Sequence, residues 1–175
     1  MYPESIIVRH CVLVSCLAVM LAPLCEAADS PVDVISKFYK SYLAYDSRGT
    51  PDNSRPGIDL SANFAAVVAH TDAVCEKFAD YPCGWGADGD AYLDAQEFDP
   101  ELRYESSGIV IKEAGPGVVT VELNVYPSIK DAGNFYLRSI TYQLVNESGR
   151  WVVDDVIYSD GKSTRQVLID EADEA

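Results

Sequence analysis

The chain has 175 residues, 48% of them hydrophobic, and a formal net charge of −15. Such a charge repels nucleic-acid phosphates and anionic lipid, which excludes nucleic acid as a partner and favours a cationic one, although solubility alone also accounts for it. The length suffices for one domain with its own core.

The first element is a leader. After Met1-Tyr2-Pro3-Glu4 and Arg9-His10, residues 11–24 carry no charge. This run falls short of the about 20 residues a bilayer span takes, and no other stretch is apolar for long enough. It matches the apolar centre of a secretory signal peptide, with Arg9 as the positive flank. Small residues place cleavage after Ala27, with Ala28 as the alternative. Cys25 raises lipidation, but the bulky Leu24 stands where lipidation signals have a small residue. The predicted organisation is a signal peptide over 1–27 and a single α+β roll domain over 28–175, ending in an acidic tail. The product is expected to be periplasmic or secreted, with no membrane anchor after cleavage and a net charge of −14 once Arg9, Glu4 and Glu26 are gone.

Cleavage also removes Cys11, Cys16 and Cys25 and leaves Cys75 and Cys83. In an oxidising compartment such a pair reads as a disulfide. A metal or redox site fits less well. The spacing is not Cys-x-x-Cys, His70 is the only histidine beyond the leader, and a structural zinc usually takes four ligands. No metal and no cofactor is expected.

Ser30-Pro31-Val32-Asp33 starts a helix: Ser30 caps, Pro31 suits the first turn, and Asp33 faces the positive end of the dipole. Val32, Ile35, Phe38, Tyr39, Tyr42 and Leu43 recur at helical spacing as its buried stripe, and the helix is predicted to end near Tyr45. Residues 46–57 are rich in turn formers. A second helix is predicted from Leu60 or Ser61 towards Ala79, with Phe64, Val67, Val68, Val74 and Phe78 on its apolar side and Pro82 and Gly84 to stop it. The disulfide would pin its last turns to the loop over residues 81–90. Strands follow: Ile109 to Ile111, a Gly115-Pro116-Gly117 turn, then 118–126, 135–145 and 151–158, a four-stranded antiparallel meander. Helices ahead of a meander make the class α+β. The end, 166–175, is predicted to be a short helix at most, with a frayed tail.

This order, closing on Glu147-Ser148-Gly149-Arg150-Trp151-Val152-Val153-Asp154-Asp155-Val156, resembles the nuclear-transport-factor-2-like cone, also called the cystatin-like roll. Within that superfamily the chain resembles the exported bacterial family DUF3828. The likeness runs through Tyr92-Leu93-Asp94-Ala95-Gln96-Glu97-Phe98-Asp99, the Trp-x-Val-Asp-Asp hairpin and Gly161-Lys162-Ser163-Thr164-Arg165, over most of residues 30–169. The family has no assigned catalytic residues, so the resemblance implies a fold and a compartment.

Candidate site residues come from the acidic positions. Asp88-Gly89-Asp90, with Asp94, Glu97 and Asp99, invites a calcium reading. It fails as an EF-hand loop because Tyr92 and Leu93 would fall at the fifth and sixth positions, the latter reserved for glycine. Turn-forming aspartates are the simpler account. Asp94 and Gln96, two apart, share a face if extended, and in a cone that face looks into the cavity. There a carboxylate with raised pKa could serve as a general base, or the pair could bind a ligand or hold loop backbone. Asp154 and Asp155 sit mid-strand, where aspartate is disfavoured, so one is expected to have a buried partner such as Arg138 or a tyrosine hydroxyl. Asp94 and Asp155 are therefore the catalytic candidates, and Asp94, Gln96 and Asp154 the ligand-binding ones. His70 reads as a helix-surface residue. The tyrosines read as core or cavity lining, suited to a small apolar or aromatic ligand.

No catalytic constellation emerges, so the expected function is a non-catalytic exported binding module. One alternative is an inhibitor or immunity protein whose acidic face blocks a basic cell-wall hydrolase. Another is a small enzyme using a cavity carboxylate. A homodimer through the exposed sheet face is left open.

Overall fold

The computed structural model describes residues 29–44, 56–78, 82–87, 89–131 and 133–174. The leader, Cys25, most of the turn-rich segment after the first helix, Tyr81 and Asp88 lie outside the described residues.

Helix α1, Pro31–Ala44, begins as its sequence dictates. The Asp33 amide donates to Ser30 Oγ at 3.2 Å, and the Ser30 amide donates back to the Asp33 carboxylate at 3.1 Å. This reciprocal cap satisfies first-turn donors that the helix itself leaves without acceptors. Ile35, Phe38, Tyr39, Tyr42 and Leu43 are buried in one stripe. Helix α2, Ala62–Phe78, is capped by Ser61, whose Oγ accepts the Phe64 amide at 3.0 Å.

The sheet is a meander of β1 (Val110–Gly115), β2 (Val118–Asn124), β3 (Leu137–Glu147) and β4 (Arg150–Ile157), in that spatial order and antiparallel throughout. The β1–β2 turn requires Gly117: its φ is +69°, and a Cβ there would meet the Leu144 carbonyl at 2.5 Å. Alternation places Val119, Val121 and Leu123 of β2, and Ile140, Tyr142 and Leu144 of β3, on the buried face. The helices pack on the sheet and close a core around Tyr39, Phe64, Leu93 and these strand residues.

The β3–β4 ladder carries a bulge. Gln143 pairs with Asp155 and Leu144 with Val153, which leaves Asp154 as the extra residue. Two neighbouring aspartates thus sit mid-strand without breaking the apolar alternation around them. Leu60 bridges Val153 in parallel and Ser163 bridges Ile157, so chain covers the outer edge of β4.

The C-terminal segment is a short helix, within the expectation, but it is anchored where a frayed tail was expected. It is α3, Thr164–Glu174, packed against α2, with Leu168 buried and its carbonyl accepting the Thr71 hydroxyl at 2.9 Å. Its acidic composition hid one apolar contact and a cap supplied from β4, which together anchor it. Among the described residues, no helix is long and apolar enough to cross a membrane.

Candidate functional site: a pocket between the disulfide loop and α3

Cys75 of α2 is bonded to Cys83, with Cα atoms 5.7 Å apart. The bridge fixes the start of a loop whose described residues between Gly84 and Gln96 form one wall of a pocket of about 410 Å³. The connection after β4, with Tyr158, Asp160 and Lys162, and α3 form the rest.

Core side chains hold that loop from below. The Tyr39 hydroxyl donates to the Tyr92 carbonyl at 2.7 Å and lies 2.8 Å from the Tyr142 hydroxyl. Tyr39 has one proton and spends it on the carbonyl, so Tyr142 donates to Tyr39. Tyr158 donates to the Ala91 carbonyl at 2.8 Å and accepts Trp85 Nε1 at 3.0 Å. Arg138 Nε donates to the Asp94 carbonyl at 2.8 Å, and Tyr42 donates to the Asp90 carboxylate. From the α3 side, Glu171 accepts the Gly84 amide at 3.1 Å. Asp90 and Ala95 bridge to close a tight turn, into which Gly89 fits because a Cβ there would lie 2.7 Å from the Ala95 carbonyl oxygen.

That turn changes the geometry expected of Asp94 and Gln96. The segment is not extended: Asp94 has φ of +50°, a left-handed conformation that aspartate adopts more readily than most residues. Both side chains nevertheless line the pocket. Burial raises the Asp94 pKa, while Arg138 and a 3.4 Å contact from the Ser159 hydroxyl pull it back. Burial also pushes Tyr158 up to about 12, against the lowering effects of Trp85 and Thr164.

Asp154 and Asp155 lie elsewhere and share a structural task. Asp154 accepts the hydroxyl of Ser61, the α2 cap, at 2.6 Å, and Arg165 Nη1 at 2.9 Å. Asp155, only 4% exposed, accepts the hydroxyl of Ser163 at 2.5 Å and the Arg165 amide at 3.0 Å. Ser163 in turn accepts the Gln166 amide and caps α3. The buried partner of the strand carboxylate is thus a helix cap, not Arg138 or a tyrosine. Arg138 is turned towards the Asp94 carbonyl instead. His70 is exposed on α2.

Two of the acidic residues that invited calcium, Asp90 and Asp99, bind backbone. Asp90 accepts the Tyr92 amide, and Asp99 accepts the Glu101 and Ser128 amides; a hydrogen bond from the Ser128 hydroxyl, with those from the amides, holds its carboxyl below its ordinary range. One potential ligand cluster occurs among the described residues: Cys75, Cys83 and Glu171. Its two sulfurs are bonded to each other, so it offers no thiolate.

Sequence reasoning did not find Trp85, Tyr158, Thr164 or Glu171 as pocket residues. Trp85 stood in the loop over residues 81–90 that the disulfide was expected to pin. Nothing local connects α3 with that loop, because Glu171 meets Gly84 across 87 positions.

No family model matches the chain, and no curated protein matches it either. Among solved structures, the chain is similar to a protein of unknown function from Bacteroides thetaiotaomicron VPI-5482, at 20% identity. The match covers 72% of this chain and 87% of that one, with a TM-score of 0.45.

Proposed function

We propose that the chain is an exported, non-catalytic binding module on a nuclear-transport-factor-2-like roll of the DUF3828 kind, and that the pocket beside α3 is its ligand site. The observation that carries this reading is the pocket itself. Its loop wall is anchored by a disulfide and by hydroxyls reaching up from the core, so the site is formed before any ligand arrives. Its lining includes no serine, cysteine or histidine among the described residues. The apolar leader and the disulfide support export.

Native mass spectrometry of protein purified without denaturant tests the reading. A small-molecule adduct is expected, and Ala87→Trp at the exposed rim should remove it. A chain that carries no adduct and binds nothing from a broad small-molecule set by ligand-observed NMR refutes it.

Asp94 favours a second reading, a small enzyme. A half-buried carboxylate with raised pKa at a left-handed position is the kind of group that abstracts protons. In that case Asp94→Asn abolishes turnover while leaving binding intact. The inhibitor reading rests on the net charge of −15. Pull-down from periplasmic extract at low salt then recovers a basic hydrolase, and recovery of none removes the idea.

A further inference from the structure

Three elements bring one ligand atom each to the disulfide. Cys75 lies in the last turn of α2, Cys83 opens the loop that follows, and Glu171 reaches in from α3. Both sulfurs and one carboxylate oxygen lie within 4.8 Å of one another, and none of the three residues is fully buried. A disulfide has no proton to donate and an ionised carboxylate only accepts, so these groups have no bond to make with one another while the sulfurs are joined.

Two thiolates and a carboxylate are a different set. Ligand atoms around a tetrahedral zinc, with Zn–S of about 2.3 Å and Zn–O of about 2.1 Å, stand about 3.6–3.8 Å apart. Reduced sulfurs reach that spacing by side-chain rotation from Cα atoms 5.7 Å apart. Gly84 supplies a second observation. A Cβ on it would stand 2.8 Å from Asp72 Oδ1 and 3.9 Å from Cys75 Sγ, while its amide donates to Glu171 at 3.1 Å. The missing side chain thus leaves room between Asp72 and Cys75, one turn apart on α2, and the same residue holds the Glu171 carboxylate. Helix α3 is itself tied to α2 through Thr71 and the Leu168 carbonyl, so the donors are in place before a metal arrives. Thiolate sulfur selects zinc and softer cations over magnesium and calcium.

We propose that Cys75, Cys83 and Glu171 form a redox-gated metal site, closed by the disulfide and opened by reduction to a thiolate-preferring divalent cation such as zinc. This goes beyond the reading of the pocket and does not depend on what the pocket holds. A dithiol is the reductant. It supplies two electrons and two protons, its own sulfurs leave joined to each other, and the Cys75–Cys83 bond breaks to give two thiols. Zinc then forms two Zn–S bonds and one Zn–O bond, and both thiol protons pass to solvent. Asp72 or a water completes the four ligands. Because Gly84 and Glu171 also line the pocket, the cation ties that wall to α2 and α3 in place of the S–S bond.

The test reduces the chain with dithiothreitol, removes the reductant under argon, and titrates zinc chloride against a chromophoric chelator. The reduced chain is expected to bind at least about a hundredfold more tightly than the oxidised chain, which offers no thiolate. Cadmium in place of zinc should give the ultraviolet charge-transfer band of a metal–thiolate bond, and magnesium and calcium should not compete. Glu171→Gln should weaken zinc at least about tenfold. It should leave the melting temperature of the oxidised chain unchanged, because the side-chain amide oxygen still accepts the Gly84 amide. Glu113→Gln, on β1, should bind as wild type does. Zinc should raise the melting temperature of the reduced chain alone, and a reduced chain that loses its circular dichroism without metal should regain it with zinc. Three results each overturn the site: zinc bound no more tightly than by the Cys75→Ser, Cys83→Ser double variant, undiminished binding in Glu171→Gln, or equal binding by the oxidised chain.

Discussion

Replacing Asp155 by alanine removes the acceptor that joins β4 to the start of α3. The wild-type carboxylate accepts the Ser163 hydroxyl and the Arg165 amide in a site only 4% exposed. Hydrogen bonds to a charged group contribute about 1.5–3 kcal/mol each, and loss of a helix cap costs about 0.5–2 kcal/mol. These contributions overlap, because Ser163 is both the partner and the cap. The expected loss is therefore about 3 kcal/mol, which lowers the melting temperature by roughly 6–12 °C in a domain of this size. Asp155→Asn keeps one acceptor oxygen in place and should cost about 1 kcal/mol. Urea denaturation followed by circular dichroism measures both, with an unchanged slope as the sign that the folded state alone is affected. The cycle Asp155→Ala with Ser163→Ala should show a coupling above about 1 kcal/mol. A loss below about 1 kcal/mol for the alanine variant, or additive effects in the cycle, refutes the assignment of Asp155 to the cap and reopens its catalytic candidacy.

Replacing Cys75 and Cys83 by serine should lower stability by about 2–3 kcal/mol, since the bridge closes a short loop across a sequence separation of 8. Thiol labelling of protein isolated without reductant should find neither cysteine free, and finding both free defeats the disulfide. Alkaline pH should unfold the protein. Tyr158 keeps its proton up to about pH 12 when folded but releases it near 10 when unfolded, so its contribution is complete below pH 10 and falls as pH climbs towards 12. The fully buried Tyr39 and Tyr142, also raised, add to the same fall. Tyrosinate absorbance should therefore rise together with loss of circular dichroism, and ionisation completed well before unfolding contradicts the burial argument. Asp94→Asn should hold or slightly raise the melting temperature at neutral pH. Asp94 has a raised folded pKa, so its stabilising effect is present at acid pH and lost as pH rises, while asparagine tolerates the φ of +50° at that position. A clear destabilisation at neutral pH counts against that account.

Period and punctuation made α1, α2 and all four strands legible in the sequence. The α1 stripe from Val32 to Leu43 has one partner surface available to it, and Gly115-Pro116-Gly117 and Ser148-Gly149 can only be turns. The segment 166–175 was expected to be a short helix at most, and its anchoring was not legible because the local composition is acidic, whereas the helix is held by a cap from Asp155 and by Leu168 against α2. Asp94 and Gln96 were found as candidates through a strand-like spacing, yet they share the pocket because a tight turn puts them there. Alternation alone sends Asp154 and Asp155 to opposite faces; the bulge gives each a different helix cap to hold.

Local chemistry is written in local sequence, and so the α+β class, the starts of α1 and α2, the meander and the cysteine pairing could all be read from short windows of it. A pocket is a property of residues distant in the chain. Gly84 and Glu171, Tyr39 and Tyr92, and Ser61 and Asp154 meet across 87, 53 and 93 positions. No window of sequence contains both members of such a pair, so the convergence of Trp85, Tyr158 and Thr164 on one cavity belongs to the folded chain.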